Sequence, residues 1–337
     1  MATIYDIAKK AGVSAATVSR VLAGANHPVK EEIRTRILKL AEELGYKPNT
    51  IAQSLAKKTT KTVALLVPSI TNFFYTQIAD EICDLLTREG YSVFLCHTRR
   101  QIEKESQHVE TLIARRVDGV IFSSTRTKPE DNEINQKNLD KLRAYGICTV
   151  AFGSHFKGTS QVYVNTYKGA FRATEHLLSL GHRRIGFIDG LVAGTRQNRR
   201  RGFLDALAKH GISYGEELVV AGNLQVDGGR EAVRQLWQNP HPPTALIVVS
   251  HLMALGAMGE LKARGYTVGE DVSLIGFDDS EISALMDPPL TVIRQPVDKV
   301  AQAASKLLLK QMAGDREPEL LELETELVIR ASTGRIK

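Results

Sequence analysis

The chain has few of the residues and segments that mark several large classes of protein. Its 337 residues include only three cysteines, Cys83, Cys96 and Cys148. Because they are odd in number and far apart, we expect buried, reduced thiols and neither a disulfide framework nor a metal site. The sequence shows no secretory signal, and no apolar run approaches the roughly 20 residues that cross a membrane. These absences predict a cytoplasmic protein without a membrane partner.

The sequence also lacks the local motifs of common enzymes. It has no phosphate loop ending in Gly-Lys-Ser/Thr, no Gly-x-Ser-x-Gly elbow and no Gly-x-Gly-x-x-Gly fingerprint. The nine histidines are scattered along the chain without the spacing of metal ligands. We therefore expect no enzyme, no cofactor and no metal, and an enzyme on an α/β scaffold is the rival interpretation.

Acidic residues are scarce in the first part of the chain. Residues 1–61 contain 11 Lys and Arg against 5 Asp and Glu, an excess of six that equals the net charge of the whole chain, +6. The remaining residues are therefore neutral overall. Localised positive charge is what phosphate neutralisation on a nucleic acid requires. A membrane-surface helix would need a broad apolar face, which this segment does not have.

The same basic segment contains the pattern of a helix-turn-helix. Thr3 and Ser14 are placed to cap two short helices, and Gly12 breaks the chain between them. The apolar side chains that should pack these helices together have helical spacing: Ile7, Ala8, Ala11, Val18, Val21 and Leu22. The outward residues of the second helix are small or polar and end in arginine: Ala15, Ala16, Thr17, Ser19 and Arg20. A solvated helical hairpin that never touches DNA is the alternative.

A loop, a third helix and a short linker complete this part of the chain. The third helix is predicted over about residues 30–44, after a loop rich in Gly, Asn and Pro. Asn26 and His27 in that loop could contact phosphate, and a plain solvated loop is the alternative. Pro48 ends the headpiece, and Asn49 can cap residues 50–58, a segment too short to form a stable helix alone.

From residue 62 the pattern changes to alternating strands and helices. Apolar strands over residues 62–67, 92–96, 117–123 and 148–152 are followed by a second series over residues 162–164, 184–188, 218–221, 245–249 and 273–277. Continuous apolar strands indicate parallel sheets covered on both faces. Ligands of such sheets bind beyond the carboxyl ends of the strands. The residues that the chain places there include Asn72, Phe73, Phe74, Ser250, His251 and Asp278.

Three runs of residues carry a resemblance to a known family. They are residues 3–14 (TIYDIAKKAGVS), 17–22 (TVSRVL) and 43–49 (ELGYKPN). They resemble the headpiece of the LacI/GalR family of bacterial transcription regulators, and the likeness covers nearly the whole chain.

The resemblance implies a fold for every part of the chain. It implies an all-α helix-turn-helix headpiece over residues 1–48 and a hinge helix with a linker over residues 49–61. Residues 62–337 should form a two-lobed α/β core with parallel sheets, similar to periplasmic binding proteins, that binds an effector and dimerises. The lobes should interleave, the first taking about 62–160 plus part of 292–337, and the second about 161–291.

The resemblance also implies which residues meet DNA. Paired hinge helices in the family push a leucine into the minor groove, and the matching residue is Leu55. In the recognition helix, Ala15 and Ala16 are too short for bidentate base contacts and would offer apolar approach. The expected DNA-binding set is Tyr5, Ser14, Ala15, Ala16, Thr17, Ser19, Arg20, Asn26, His27, Asn49, Gln53, Ser54, Leu55 and Lys58.

An effector site follows from the same resemblance. Relatives hold a small molecule with an arginine and an aspartate that map to Arg199 and Asp278, a pair suited to a polyhydroxylated ligand. Gly153 stands where relatives commonly carry Asp, Ser250-His251 where many carry Asn-Asp, and Leu224 where an aromatic often stacks. Fewer acidic groups and the gain of His251 predict an anionic effector, such as a sugar acid or sugar phosphate. The expected effector-binding set is Asn72, Phe73, Phe74, Gly153, Arg199, Leu224, Ser250, His251, Asp278 and Gln295.

The sequence therefore predicts a DNA-binding repressor of a carbohydrate-utilisation operon, controlled by a small molecule bound between the lobes. We expect a homodimer on a near-palindromic operator. A tetramer is the less favoured assembly, because the tail has no heptads. Two other functions stay open: a co-repressor-dependent regulator that responds to a non-sugar metabolite, and a small-molecule-binding transport component, which would have no use for residues 1–61.

Overall fold

A computed structural model describes residues 2–22, 28–47, 59–125, 130–190 and 195–336, without the side chains of residues 195–197. The chain divides into two units, Met1–Thr60 and Lys61–Lys337. None of the helices in the described ranges is long and apolar enough to cross a membrane.

The first helix of the first unit, α1 (Ile4–Ala11), has defined signals at both ends. The backbone N–H groups of Thr3 and Asp6 are each accepted by the side chain of the other residue, at 2.8 and 3.3 Å, which forms a capping box. The helix stops at Gly12, whose φ of +69° lies in the left-handed region that favours glycine. The predicted start and end of this helix are therefore observed.

Two further helices close the core of the first unit. α2 (Ala15–Leu22) begins after Ser14, whose hydroxyl accepts a hydrogen bond from the backbone N–H of Thr17 at 3.1 Å. α3 spans Glu31–Glu43. The buried apolar residues come from all three helices at the predicted spacing, and they are Ile7, Ala8, Ala11, Val18, Val21 and Ile37.

The second unit contains two six-stranded sheets, one in each lobe. The strands of lobe one are β1 (Thr62–Val67), β2 (Ser92–His97), β3 (Gly119–Phe122), β4 (Cys148–Phe152), β5 (Ser160–Asn165) and β11 (Leu320–Glu324). Those of lobe two are β6 (Ile185–Asp189), β7 (Val219–Ala221), β8 (Ala245–Val248), β9 (Ser273–Phe277), β10 (Thr291–Arg294) and β12 (Glu326–Val328). The strand orders are β11-β5-β4-β3-β1-β2 and β12-β10-β9-β8-β6-β7. All pairings are parallel except β10 with β12, so the prediction of parallel sheets is confirmed with one antiparallel edge strand.

Helices cover both faces of the lobe-one sheet. On one face lie α4 (Phe73–Arg88) and α12 (Val297–Met312), and on the other lie α5 (Ile102–Ala114) and α6 (Asp131–Ala144). Alternate residues of β1 serve the two faces, with Leu65 in the core beside α4 and Leu66 in the core beside α5. This alternation is the period-2 geometry of a strand, and it explains why a central strand is apolar throughout.

Lobe two also combines a sheet with packed helices, but its buried apolar side chains form one continuous core. Its helices are α7 (Thr166–Ser179), α8 (Thr195–Lys209), α9 (Val226–Leu236), α10 (His251–Ala263) and α11 (Glu281–Leu285), with a 3₁₀ turn over Glu216–Leu218. Glycines allow two of these helices to pack closely. A Cβ on Gly256 of α10 would lie 1.9 Å from a carbonyl oxygen of α9, so only glycine fits there.

The chain passes between the two sheets three times: from β5 into α7, from β10 into α12, and from β11 into β12. The expected start of lobe two near residue 161 is wrong, because β5 pairs with β4 and β11 of lobe one. Lobe one takes part of residues 292–337, as expected, but lobe two extends beyond its expected end near residue 291, because β10 pairs with β9 and β12. Sheet membership depends on distant partners, which the strand's own residues do not reveal.

Edge strands account for the remaining difference from expectation. β2 was expected to be covered on both faces, but it forms the outer edge of its sheet, and Phe94 and Leu95 are 39% and 48% exposed. All three cysteines are free thiols, as expected, but only Cys148 is buried, while Cys83 and Cys96 are half-buried. Apolar composition alone does not separate a central strand from an edge.

Candidate functional site

One surface of the first unit presents the residues expected to read DNA. Tyr5 is 73% exposed, and Ser14, Ala16, Ser19 and Arg20 are also exposed. Small side chains around one arginine leave room for close approach to a groove, and the arginine supplies a forked donor. These five residues are therefore accessible, and their role in reading DNA stays a prediction.

Two other members of the expected set are less available. Ala15 is half-buried and packs against the core of the first unit, because it is the first residue of α2. Thr17 is half-buried as well, and its hydroxyl lies 2.9 Å from that of Ser14. The prediction that both face fully outward is therefore wrong. The remaining expected residues lie outside the described residues: Asn26, His27, Asn49, Gln53, Ser54, Leu55 and Lys58.

A cavity of about 150 Å³ lies between the two lobes, beyond the carboxyl ends of strands from both sheets. Cavities of this size accept small organic molecules. Seven of the ten residues expected to bind the effector line it, namely Asn72, Phe74, Gly153, Arg199, Leu224, Asp278 and Gln295. The expected place for a ligand in an α/β sheet and the observed cavity thus coincide.

The lobe-two wall of this cavity contains an arginine, Arg199, and an aspartate, Asp278. Asp278 follows β9 and accepts a hydrogen bond from the Gln295 side-chain amide at 2.5 Å. Burial raises the pKa of the Asp278 carboxyl, and the positive charge of Arg199 opposes that rise. Arg199 is held by a hydrogen bond to the Val249 carbonyl oxygen at 2.8 Å and by the Phe277 ring, 4.2 Å from its guanidinium.

One donor of this arginine has no partner among the described residues. Within the described part of the chain, the buried Nε–H of Arg199 makes no hydrogen bond. Burial lowers the pKa of the guanidinium and Asp278 raises it, but an arginine stays charged at any physiological pH. The pair therefore offers a fixed cation and a carboxylate to a ligand that carries hydroxyl groups.

His251 and its neighbours do not line the cavity. His251 is the buried first residue of α10, and its Nδ1 lies 3.3 Å from the Ser283 hydroxyl. The Phe73 ring contacts the His251 ring edge-to-face, with 4.9 Å between the ring centroids, and this contact joins the two lobes. Burial lowers the pKa of His251, so the ring is neutral at pH 7. Phe73, Ser250 and His251 do not line this cavity, so their expected contact with the effector stays a prediction, and His251 adds no positive charge to the cavity wall.

Several lining residues were missed by the sequence analysis. Arg100 follows β2, and Ser123 and Ser124 follow β3 directly. The rule about carboxyl ends would have found them had it been applied to those two strands. Tyr163 was missed because β5 was assigned to the wrong lobe. The sequence carries no comparable signal for two further lining residues, His155 in a loop and Tyr75 inside α4.

The comparisons with known proteins agree with this architecture. Residues 3–49 match the description "Bacterial regulatory proteins, lacI family", and residues 174–333 match "Periplasmic binding protein-like domain". An HTH-type transcriptional repressor PurR from Mannheimia succiniciproducens is 32% identical over 338 residues, which cover 100% of both proteins. The chain belongs to the LacI family of bacterial regulatory proteins.

Solved structures of LacI-family regulators extend the likeness to three dimensions. The lac repressor dimer bound to operator and the anti-inducer ONPF has a TM-score of 0.88 and 29% identity, covering 99% of each chain. The complex of the transcriptional regulator CelR with cellobiose has a TM-score of 0.71 and 31% identity, covering 98% of this chain and 100% of CelR. This LacI-family member is therefore a DNA-binding transcriptional repressor with an effector-binding core, and not an enzyme.

Proposed function

We propose that this repressor controls a carbohydrate-utilisation operon and responds to an anionic, carbohydrate-derived effector held between its lobes. The observation that carries the proposal is the charge of the cavity wall. Among the described lining residues there are two arginines, Arg100 and Arg199, and one carboxylate, Asp278. An anionic ligand would balance this excess, whereas a neutral one would leave a partly buried cation uncompensated.

Polar groups that line the same cavity favour an effector with a sugar-like skeleton. Asn72, Ser123, Ser124 and Gln295 supply amides and hydroxyls that can donate to and accept from ligand hydroxyl groups. The CelR relative was solved with a carbohydrate, cellobiose. A purine is the second candidate effector, because PurR proteins are among the relatives of this chain.

Exposed leucine and isoleucine side chains support a homodimer. Leu255 on α10 and Ile282 and Leu285 on α11 are 38%, 45% and 83% exposed. Exposed apolar side chains that cluster on neighbouring helices mark protein interfaces. We assign this patch to contact with a second copy, so that two headpieces bind the two halves of a near-palindromic operator.

The roles on DNA follow from the exposed headpiece surface. Ser19 and Arg20 read base edges or clamp phosphate, and Ala16 gives apolar approach to a thymine methyl group. Tyr5 and Ser14 flank them, and the expected loop and hinge residues add phosphate contacts and a minor-groove wedge at Leu55. Because the coupling between sites is reciprocal, an effector that changes operator affinity must bind differently to DNA-bound and free repressor.

One experiment tests the whole assignment. The operator is selected from random double-stranded DNA with the full chain, and D-gluconate, D-glucose 6-phosphate, D-glucose, cellobiose and hypoxanthine are then titrated calorimetrically. We expect an anionic sugar to bind most tightly and to change operator affinity. Tight binding of only neutral sugars or of hypoxanthine would reject the anionic effector, and failure to select any DNA sequence would contradict the regulatory role.

A further inference from the structure

Gly153, at the carboxyl end of β4, has a backbone conformation that favours glycine. Its φ is +133°, and its N–H donates to the carbonyl oxygen of Val162 at 2.9 Å, which anchors it to the neighbouring strand. A Cβ at this position would lie 2.9 Å from both Nδ1 and Cε1 of His155. The imidazole therefore fills the space into which any side chain at residue 153 would extend.

Aromatic packing fixes the His155 ring in that space. Its centroid lies 4.1 Å from that of Phe156, and the buried Phe156 ring meets Phe122 edge-to-face at 5.8 Å in the core of lobe one. Gly153 and His155 both line the cavity. The lobe-one wall thus presents an imidazole here, a group that can donate a hydrogen bond.

Arg100 is brought to the same wall by an unfavourable backbone conformation. Its φ is +58°, in the left-handed region, and its N–H donates to the carbonyl oxygen of Pro68 at 3.0 Å. A residue with a Cβ adopts this conformation only where the surrounding structure imposes it. Over the described ranges of the chain, no carboxylate forms an ion pair with the Arg100 guanidinium, whereas the charge of Asp278 acts on Arg199.

We propose that Arg100 and His155 form the anion subsite of the cavity and determine which effectors this repressor accepts. The forked guanidinium matches two oxygens of a carboxylate or phosphate, and the hydroxyls of Ser123 and Ser124 add donors. Arg199 and Asp278 on the opposite wall bind the hydroxyl groups of the same ligand. The assignment rests on the proposed function, because it requires an anionic effector in this cavity.

The test compares three sugars that share a skeleton and differ in charge. D-gluconate, D-glucose 6-phosphate and D-glucose are titrated calorimetrically into the full chain and into its R100Q and H155Q variants. We expect one of the two anionic sugars to bind at least about tenfold more tightly than glucose, since charged hydrogen bonds are the strong ones. If gluconate binds more tightly than glucose 6-phosphate, the subsite recognises a carboxylate. If glucose 6-phosphate binds more tightly, the subsite recognises a phosphate. R100Q should remove this preference and H155Q should reduce it, while glucose affinity stays within about twofold.

Arg99 provides a matched control. It adjoins Arg100 and has a similar left-handed backbone, with φ +54°, but it does not line the cavity. R99Q should therefore bind all three sugars as the parent protein does. If R100Q does not fold, R100K serves in its place, because it keeps the charge but loses the fork and should lose part of the preference.

The outcomes separate this inference from the proposed function. Glucose binding as tightly as both anionic sugars, no binding of either anionic sugar, or equal losses in R99Q and R100Q would each overturn the subsite. If the parent protein bound its operator but showed no preference for an anionic sugar, the subsite and the anionic effector would both fail and the regulatory role would stand. If the only contrary result were equal losses in R99Q and R100Q, the subsite alone would fail. If gluconate binding depended on Arg100 but no DNA sequence were bound, the regulatory role would fail and the subsite would stand.

Discussion

Replacement of Glu105 by glutamine should loosen one wall of the effector cavity. Glu105 on α5 is fully buried and accepts three hydrogen bonds. They come from the backbone N–H of Thr125 at 2.6 Å and from the side-chain amides of Asn135 and Asn138 at 2.8 and 3.0 Å. Thr125 directly follows the cavity residues Ser123 and Ser124, so this carboxylate ties their loop to two helices.

The magnitude follows from counting the donors. Glutamine keeps one acceptor oxygen and puts an amide donor in place of the other, so at least one of the three donors loses its acceptor. A buried donor without a partner costs about 1–3 kcal/mol. Burial raises the pKa of Glu105 because it disfavours the charged form, and the neutral amide escapes that penalty. We therefore expect E105Q to lower the free energy of unfolding by about 1–2 kcal/mol at pH 7.

Urea unfolding followed by circular dichroism measures this loss as a shift in midpoint. E103Q is the matched control, because Glu103 is exposed in the first turn of the same helix, and it should change stability by less than about 0.5 kcal/mol. Because the folded-state pKa of Glu105 is raised, folded protein binds the proton more tightly than unfolded protein does. The stability advantage of the parent over E105Q should therefore shrink as pH rises from 4.5 through the raised pKa. An E105Q protein as stable as the parent, or equal losses in E103Q, would refute the reasoning.

Three further changes probe the packing of α10, the dimer patch and the hinge. G256A should destabilise the core by about 2 kcal/mol or more because its Cβ meets a carbonyl oxygen, whereas G259A on the same helix has open space around it and should stabilise slightly. Thermal melts compare the two, and similar melting temperatures would contradict the packing argument. L285D should convert the dimer to a monomer in sedimentation experiments, because it puts a charge in the exposed apolar patch. I134D is the control, since Ile134 is an exposed apolar residue of α6 outside the patch, and it should leave the dimer intact. A dimeric L285D protein would place the interface elsewhere. L55A should weaken operator binding in a filter assay and leave effector binding intact, and unchanged operator affinity would reject the hinge model.

Local signals made the headpiece predictable. The caps at Thr3 and Ser14 and the stop at Gly12 act within one helical turn, so each could be interpreted from its immediate neighbours. The strand over Cys148–Phe152 was predicted with its observed bounds, because its apolar run is also a local signal. The sheet that β5 joins could not be predicted, because its partners lie far away along the chain.

The candidate site was predictable where it depends on strand ends and unpredictable where it depends on packing. Asp278 and Arg199 lie on the cavity wall, as expected. The position of Asp278 was predictable because it is the residue directly after β9. His251 looked like a cavity residue, but contacts with Phe73 and Ser283 enclose it. The place of His155 depends on the backbone conformation of Gly153, which no spacing rule reveals.

The three crossings between the lobes also determine the order in which a growing chain can complete its parts. All described helices of the first unit lie within residues 4–43, so the headpiece can fold early in synthesis. β11 and β12 close the edges of two different sheets and are separated only by Thr325. The lobe-one sheet is complete only after residue 324 has left the ribosome, and the lobe-two sheet only after residue 328. The helices of the headpiece are therefore all synthesised well before the strands that complete the two sheets on either side of the cavity.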